Sequence, residues 1–134
     1  FDNEKGDYKI VLDDHLQYRY RILRLLGKGV FGQVVKAMDC KTKARVAVKV
    51  VRNKAFSQTD ALAEAKLLEH IRRADPDDRA HVVHMADHFE FRGHLCLVFE
   101  LLSIDLAKVL QHTLPHGLLP KLTHRFACQI LKAL

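Results

Sequence analysis

Three glycines within six positions, Gly27, Gly29 and Gly32, are the first residues whose types and spacing could do chemistry. Glycine lets a backbone adopt positive φ or approach a ligand with no Cβ in the way, and three so close together cost backbone entropy. The G-x-G-x-x-G frame is typical of loops that cover phosphates, although several unrelated folds contain it. The glycines alone therefore predict a ligand loop without identifying the ligand.

A lysine and a glutamate further along the chain carry opposite charges in apolar surroundings. Strand alternation in the run Val46-Ala47-Val48-Lys49-Val50-Val51 places Ala47 and Lys49 on one face. Glu64 lies on the apolar stripe of a predicted helix, so its carboxylate should face the core. Because an inward carboxylate is costly unless paired, we predict an ion pair between Lys49 and Glu64. Considered without Glu64, Lys49 has an alternative interpretation: its aliphatic stem packs against apolar neighbours while its ammonium group reaches solvent.

The elements that must position these residues follow an order of strands, one helix, two strands and then helices. The predicted strands are 18–26, 33–38, 45–51, 82–91 with a break at 86–87, and 95–101, and the glycines cap the first hairpin. The first helix is predicted from Ser57 or Thr59, as hydroxyl caps, to Arg73, and its apolar stripe consists of Leu67, Leu68 and Ile71. Further helices are predicted over 103–112 and from Pro120 onward, with a break at 115–117. Residues 1–17 predict an extension with one hairpin.

Composition limits the classes of function. The 134 residues are 49% hydrophobic, enough for one globular domain. The net charge of +6 comes from dispersed basic residues without a nucleic-acid motif, which favours a solvated surface over a nucleic-acid partner. Three cysteines without a C-x-x-C pair indicate a reducing compartment. Without a signal peptide or a membrane-spanning run, we expect an intracellular protein that does not insert into membranes.

Three histidines, His81, His84 and His88, are close enough in sequence to raise the question of a metal site. They lack a His-Glu-x-x-His pattern and a matching set of cysteines or acids, which bound metals usually require. We predict no metal site in this chain.

The residues after the glycines separate three uses of such a loop. In a dinucleotide-binding fold the third glycine opens a helix, whereas Gln33-Val34-Val35 here predicts a strand. In a P-loop the last glycine of the frame G-x-x-x-x-G is followed by Lys and then Ser or Thr, whereas here Gln33 and Val34 follow Gly32. A glycine flap between antiparallel strands, a strand lysine 17 positions after Gly32 and a helix glutamate are the arrangement found in protein kinases.

Longer segments resemble one kinase family. They are Gly27-Lys28-Gly29-Val30-Phe31-Gly32-Gln33-Val34-Val35-Lys36-Ala37, Val46-Ala47-Val48-Lys49 and His94-Leu95-Cys96-Leu97-Val98-Phe99-Glu100-Leu101-Leu102-Ser103. The chain resembles the dual-specificity tyrosine-regulated kinases (DYRK family, CMGC group), and the lead-in Asp13 to Tyr20 is also similar to the related LAMMER kinases. The implied fold is α+β and protein-kinase-like: a five-stranded antiparallel N-lobe sheet with one long helix, then the first C-lobe helices. The implied segments are 1–17 as an extension, 18–102 as N-lobe and hinge, and 103–134 as the beginning of the C-lobe.

The resemblance also implies roles for individual residues. Lys49 would hold the α- and β-phosphates of ATP and Glu64 would position it, so these two are the expected catalytic residues. Around the adenine, Leu26 and Val34 would sandwich the ring and Ala47 would pack on it. Val83 would close the pocket wall, and Phe99 would guard the space behind the ring. Glu100 and Leu102 would offer hinge backbone groups for hydrogen bonds to the adenine, and Asp105 could reach the ribose. The implied nucleotide-binding residues are Leu26, Gly27, Lys28, Gly29, Val30, Phe31, Gly32, Gln33, Val34, Ala47, Lys49, Val83, Phe99, Glu100, Leu102 and Asp105.

Some kinase features are altered or lacking in the 134 residues. Val30 stands where the family usually has Ser or Thr, and neither His-Arg-Asp nor Asp-Phe-Gly is present. His124-Arg125-Phe126 mimics the first of these, but Phe126 takes the place of the base. The resemblance implies a parent kinase that transfers phosphoryl groups from ATP to Ser/Thr of protein substrates, with Mg²⁺ ligands beyond Leu134 and a cytoplasmic or nuclear location. The segment alone should be inactive, and the alternatives are a pseudokinase that binds nucleotide or acts as a scaffold and, less favoured, a dinucleotide-binding oxidoreductase.

Overall fold

The chain folds into two compact units, each with its own contacts. The computed structural model describes residues 2–113 and 117–134, and the side chains of 55–57 lie outside that description. One unit comprises Phe1–Ala74 and Val83–Leu101, and the other comprises Asp75–Val82 and Leu102–Leu134. Throughout these described residues, every helix is too short or too polar to cross a membrane.

The first unit contains a six-stranded antiparallel sheet. Its strands are β1 His15–Leu16, β2 Tyr20–Gly29, β3 Gly32–Asp39, β4 Arg45–Val51, β5 Met85–Phe91 and β6 His94–Glu100, in the spatial order β1-β2-β3-β4-β6-β5. Five strands lie close to their predicted positions, and a register shift in β5 coincides with the predicted break. The additional strand is β1, where Leu16 pairs with Tyr20. Two residues in a polar segment show no alternation, so the sequence pattern could not predict it.

One face of this sheet forms the larger core. Alternation places Val35 and Ala37 of β3, and Val46, Val48 and Val50 of β4, on that face, where they are buried. These small and β-branched side chains suit a pleated surface that is buried on one side. The predicted opposite face of β4, which carries Ala47 and Lys49, is half-buried.

Aromatic and charged side chains join β2 to β5 across this core. The Tyr20 ring stacks on Phe89 with centroids 5.4 Å apart, and its hydroxyl donates to Asp87 at 3.1 Å. Arg19 donates twice to Asp39, at 2.9 and 2.7 Å, and once to Asp87 at 3.3 Å. Burial raises the pKa of Tyr20 to about 12. The sheet is therefore curled, because residues from nonadjacent strands touch.

Helix α1, Ala55–Ala74, packs on the other face of the sheet. Its inner residues are Ala61, Ala65 and Leu68, and Ala65 packs with Leu97 of β6. The spacing of four and three positions follows the helical period, and the two alanines let the helix backbone approach the sheet closely.

Two predictions about α1 are wrong. The helix begins at Ala55, so Ser57 and Thr59 lie within it and do not cap it. Leu67 is 59% exposed and does not belong to the inner stripe. It follows Ala65 by two residues, about 200° around the helix, and therefore points away from the sheet.

The second unit contains helices α2, Leu106–Thr113, and α3, Pro120–Ala133. The Asp105 carboxylate caps α2 by accepting a hydrogen bond from the Lys108 backbone at 2.8 Å, and this bond lowers the pKa of Asp105. Both helices begin close to the predicted positions. In the predicted break at 115–117, Pro115 and His116 lie outside the described residues.

Candidate functional site

The glycine hairpin joins β2 and β3 with a two-residue turn. Gly27 pairs with Val34 and Gly29 with Gly32, so Val30 and Phe31 form the exposed tip. This is the strand-glycine-strand arrangement that the sequence predicts, and it excludes a helix directly after Gly32. The second rival fold, a dinucleotide-binding unit, is therefore contradicted by local structure.

The structure requires glycine at only one of these three positions. Gly32 has φ of +143°, and a Cβ there would collide with the carbonyl oxygen of Val50. The fold itself therefore requires glycine at position 32. A Cβ on Gly27 or Gly29 would meet no atom within 4 Å. Packing and positive φ therefore require glycine at neither position, and both glycines leave the hairpin backbone open to close approach.

The predicted ion pair is present below this hairpin. Lys49 Nζ donates to Glu64 Oε2 at 2.8 Å and to Oε1 at 3.1 Å. The two side chains are 25% and 42% exposed, so the pair is less buried than the sequence predicts. β4 and α1 position the two groups, and the small Ala61 and Ala65 beside Glu64 allow the close approach.

A cavity of about 210 Å³ opens beside the pair. Its walls are supplied by the hairpin tip, β4 and one face of α1: Phe31, Lys49, Val51, Asp60, Ala61 and Glu64. The cavity thus brings together a glycine-loop residue, the lysine and the glutamate. Asp60 was not predicted, although its position four residues before Glu64 places it on the same helical face.

Register places further predicted residues on the sheet face that carries Lys49. Val34 is the cross-strand partner of Lys49, and Ala47 lies opposite Phe99 of β6. Val34, Ala47 and Phe99 are all half-buried. They form an apolar surface beside a cation, which suits a flat heteroaromatic ring attached to phosphates.

The remaining predicted residues lie in less confined positions. Leu26 and Val83 are exposed at 41% and 37%. Glu100 exchanges hydrogen bonds with His84: its backbone N–H donates to the His84 carbonyl at 3.1 Å, and its carboxylate accepts from the His84 N–H at 2.9 Å. Leu102 is exposed and Asp105 caps α2, both within the second unit.

Two residues of the glycine hairpin contact the N-terminal segment, residues 2–8. Gln33 donates its side-chain N–H to the Tyr8 carbonyl at 2.8 Å. Lys28 forms an ion pair with Asp7 at 2.9 Å, and Arg52 at the end of β4 binds the same carboxylate at 2.6 Å. These contacts hold the hairpin at the residue pair next to Gly29 and Gly32, while its tip remains exposed.

Asp7 and its partners form a buried charged cluster beside the hairpin that sequence reasoning missed. The carboxylate is 1% exposed, and the Arg52 hydrogen bond holds the pKa of Asp7 well below its ordinary value. No periodicity marks a single acid in a polar segment, and its partner Arg52 is 45 residues away. The short apolar patch that begins at Tyr8, the residue after Asp7, was the available signal.

The described residues, 2–113 and 117–134, contain no group of three or more His, Cys, Asp or Glu side chains that could hold a metal ion. The cavity itself is lined by one cation, Lys49, and two carboxylates, Asp60 and Glu64.

Comparison with known proteins agrees with this geometry. The family model described as "Protein kinase domain" matches residues 20–134. The chain is 45% identical over all its 134 residues to the human dual specificity tyrosine-phosphorylation-regulated kinase 4, of which it covers 26%. It is 42% identical over its whole length to the dual specificity tyrosine-phosphorylation-regulated kinase mbk-2 of Caenorhabditis elegans, covering 16% of that protein. It is 48% identical over 111 residues, 83% of this chain, to the DYRK-family kinase pom1 of Schizosaccharomyces pombe, covering 10% of it.

The chain thus spans about a quarter or less of the length of these relatives. The sheet, the single long helix and the paired lysine and glutamate agree with the match to the family model. This chain belongs to the protein kinase domain family and resembles its dual-specificity tyrosine-phosphorylation-regulated members.

Proposed function

We propose that this chain is the ATP-binding portion of a protein kinase that transfers the γ-phosphoryl group of ATP to Ser and Thr hydroxyls of protein substrates, with autophosphorylation on tyrosine. The ion pair of Lys49 with Glu64, beside the glycine hairpin, is the observation that carries the proposal. Charge on phosphoryl oxygens is stabilised mainly by cations already held in position.

Each part of the site has one task in this proposal. Glu64 holds the Lys49 ammonium in place, and Lys49 donates to the α- and β-phosphate oxygens. Backbone N–H groups near Gly27 and Gly29 approach the phosphates because no Cβ intervenes. Val34 and Ala47 contact the adenine, and Phe99 bounds the space behind it.

Protein kinases in general use ATP and Mg²⁺. In this proposal, Lys49 and the hairpin amides are the groups of this chain that contact the phosphates directly. The base that accepts the proton of the substrate hydroxyl also has no candidate here, since Phe126 stands at the only His-Arg-x sequence.

The experiment is replacement of Lys49 in the full-length protein. Lys49→Met should lower the rate of phosphoryl transfer about 10²–10³-fold, the usual effect of removing one transition-state hydrogen-bond donor. Lys41→Met removes the same charge from the exposed turn between β3 and β4 and should leave the rate unchanged. Near-normal transfer by Lys49→Met would contradict the proposal.

Nucleotide binding measured on the same proteins tests the alternative. A wild-type protein that binds an ATP analogue through Lys49 but transfers no phosphoryl group to any hydroxyl would be a pseudokinase. The present geometry supports nucleotide binding in either case, and the catalytic role is tested only by turnover.

A further inference from the structure

The sheet face that carries Lys49 continues beyond the cavity into a cluster of cations. We call this cluster the basic patch; its members are Arg21, Arg24, Lys36 and Arg45. Lys36 lies opposite Arg24 on β2 and opposite Ala47 on β4. Met38 lies opposite Arg21 on one side and Arg45 on the other. Because cross-strand partners point to the same face, the register places all four cations on the face that carries Ala47.

The basic patch is open. Arg21, Arg24 and Arg45 are exposed, and Lys36 and Met38 are half-buried. Helix α1 packs over Leu97 and Met85, on the part of this face formed by β5 and β6. The part formed by β2, β3 and the beginning of β4 therefore faces outward within the first unit.

The patch contrasts with other cations in the sheet or next to its strands, because it has few acidic partners. Arg19, Arg52 and Lys49 each bind a carboxylate at 2.8 Å or less. Arg21 lies 3.6 Å from Asp13, and both side chains are well exposed. In the described ranges 2–113 and 117–134, no acidic side chain comes within ion-pair distance of Arg24, Lys36 or Arg45.

The pairing of Arg24 with Lys36 has an energetic cost. Like charges directly opposite each other on neighbouring strands destabilise a sheet. No internal anion of the described structure offsets this repulsion. An external anion that contacts both side chains would reverse the sign of their contribution.

We propose that the basic patch binds an acidic, Asp- and Glu-rich segment of a polypeptide partner. Two strand spacings separate Arg21 from Arg45, about 10 Å, and an extended acidic segment repeats its side chains on one face about every 7 Å. Such a segment can therefore contact several of the four cations at once. Charge complementarity of this kind supplies specificity and association rate more than affinity.

A polypeptide suits the patch better than a nucleic acid. Single-stranded nucleic acids are bound by cations together with aromatic side chains on which bases stack. Met38, at the centre of the patch, offers a small apolar contact, and none of the five residues is aromatic. The inference rests on the proposed kinase function for the identity of the partner, because a kinase brings a protein substrate to this face.

Fluorescence anisotropy of the full-length protein with a labelled ten-residue peptide of alternating Glu and Gly tests the proposal. The test variant is Arg24→Gln with Lys36→Gln, and the matched control is Lys41→Gln with Lys43→Gln in the neighbouring turn. Both variants lose two positive charges. The test variant should bind the peptide about 10-fold more weakly than wild type, and the control should bind within about 2-fold. Binding by wild type should weaken as salt is raised.

Equal losses in both variants would overturn the proposal, since net charge alone would then explain binding. Tighter binding of a single-stranded oligonucleotide of the same charge would also overturn it. The melting temperature of the test variant should not fall, because the substitutions remove a repulsion, and Lys36→Arg should retain binding. An ATP analogue is titrated separately. Peptide binding without nucleotide binding would contradict the proposed kinase function and would still support the proposal for the basic patch.

Discussion

Asp7 and Glu64, two of the carboxylates of the first unit, bind cations in opposite ways. Asp7 is 1% exposed and accepts hydrogen bonds from Arg52, Lys28 and Asn3. Glu64 is 42% exposed and binds Lys49 beside a cavity. A buried carboxylate with three donors has no capacity left for a ligand, whereas a half-exposed pair can exchange one partner for a phosphate. Burial and the number of partners thus separate a contact that stabilises the fold from one available for chemistry.

The largest expected difference is in stability. Asp7→Ala leaves Arg52 without its carboxylate in a nearly closed site and should lower the free energy of unfolding by about 3–5 kcal/mol. Glu64→Ala breaks a half-exposed pair and should cost about 1 kcal/mol or less. Urea unfolding followed by circular dichroism measures both. Similar losses for the two variants would remove the distinction between the contacts.

The glycines allow the same comparison on the backbone. Gly32→Ala places a Cβ against the Val50 carbonyl at positive φ and should lower the free energy of unfolding by about 2 kcal/mol or more. Gly29→Ala meets no atom within 4 Å, so stability should change by less than about 1 kcal/mol while affinity for an ATP analogue falls. Calorimetric titration with the analogue and a melting curve are measured on each variant. Unchanged nucleotide affinity in Gly29→Ala would contradict the ligand role of that glycine.

Acid sensitivity sharpens the comparison further. The pKa of Asp7 is lowered by the Arg52 hydrogen bond and the pKa of Asp39 by the Arg19 hydrogen bond. Each native carboxylate therefore binds fewer protons than an unfolded one, whose pKa is about 3.9. Their stabilisation is complete above about pH 5 and is lost as the pH falls below the unfolded value.

Asp7→Asn should therefore flatten the fall in stability between about pH 5 and pH 2, and a second substitution, Asp39→Asn, should flatten it more. Urea midpoints measured at several pH values test this. A slope that is unchanged in the double variant would show that other carboxylates govern acid unfolding.

The smallest expected effect concerns the ion pair of Lys28 with Asp7, which joins the glycine hairpin to the N-terminal segment. Lys28 is 46% exposed and shares Asp7 with Arg52, so Lys28→Met should lower the free energy of unfolding by about 1 kcal/mol or less. Hydrogen exchange should increase around Lys28 and Gln33 more than elsewhere in the sheet. A loss as large as that of Asp7→Ala would mean that Lys28, and not Arg52, is the main partner of Asp7.

Local patterns predicted most of the elements and the central ion pair. The alternation around Lys49 gave the bounds of β4 and the face of its side chain, because both depend on neighbouring residues alone. The stripe of α1 was predicted wrongly where the large Leu67 outweighed the small Ala61 and Ala65. Hydrophobicity favours the larger side chain, whereas close packing of helix on sheet requires the smaller ones.

Apart from the pair of Lys49 with Glu64, contacts between distant segments could not be predicted. Asp7 meets Arg52 only when the N-terminal segment returns to the end of β4, and β1 exists only because β2 lies beside it. The difference between Gly32 and Gly29 likewise depends on the Val50 carbonyl, 18 positions after Gly32. The residues around Asp7, β1 and Gly32 show no periodicity that would indicate these partners.

The contacts of the N-terminal segment have a consequence for biosynthesis. Asp2 binds His94 and Tyr8 binds Arg92, partners that are 92 and 84 residues later in the chain. At about 5–20 residues per second, a ribosome makes those partners about 5–20 s after the segment itself. During that interval β2 and β3 are present without β5 and β6, so the apolar side chains that pack on Phe89 and Val98 remain open to chaperones. The first unit can complete its fold on the ribosome only after β6 has left the exit tunnel.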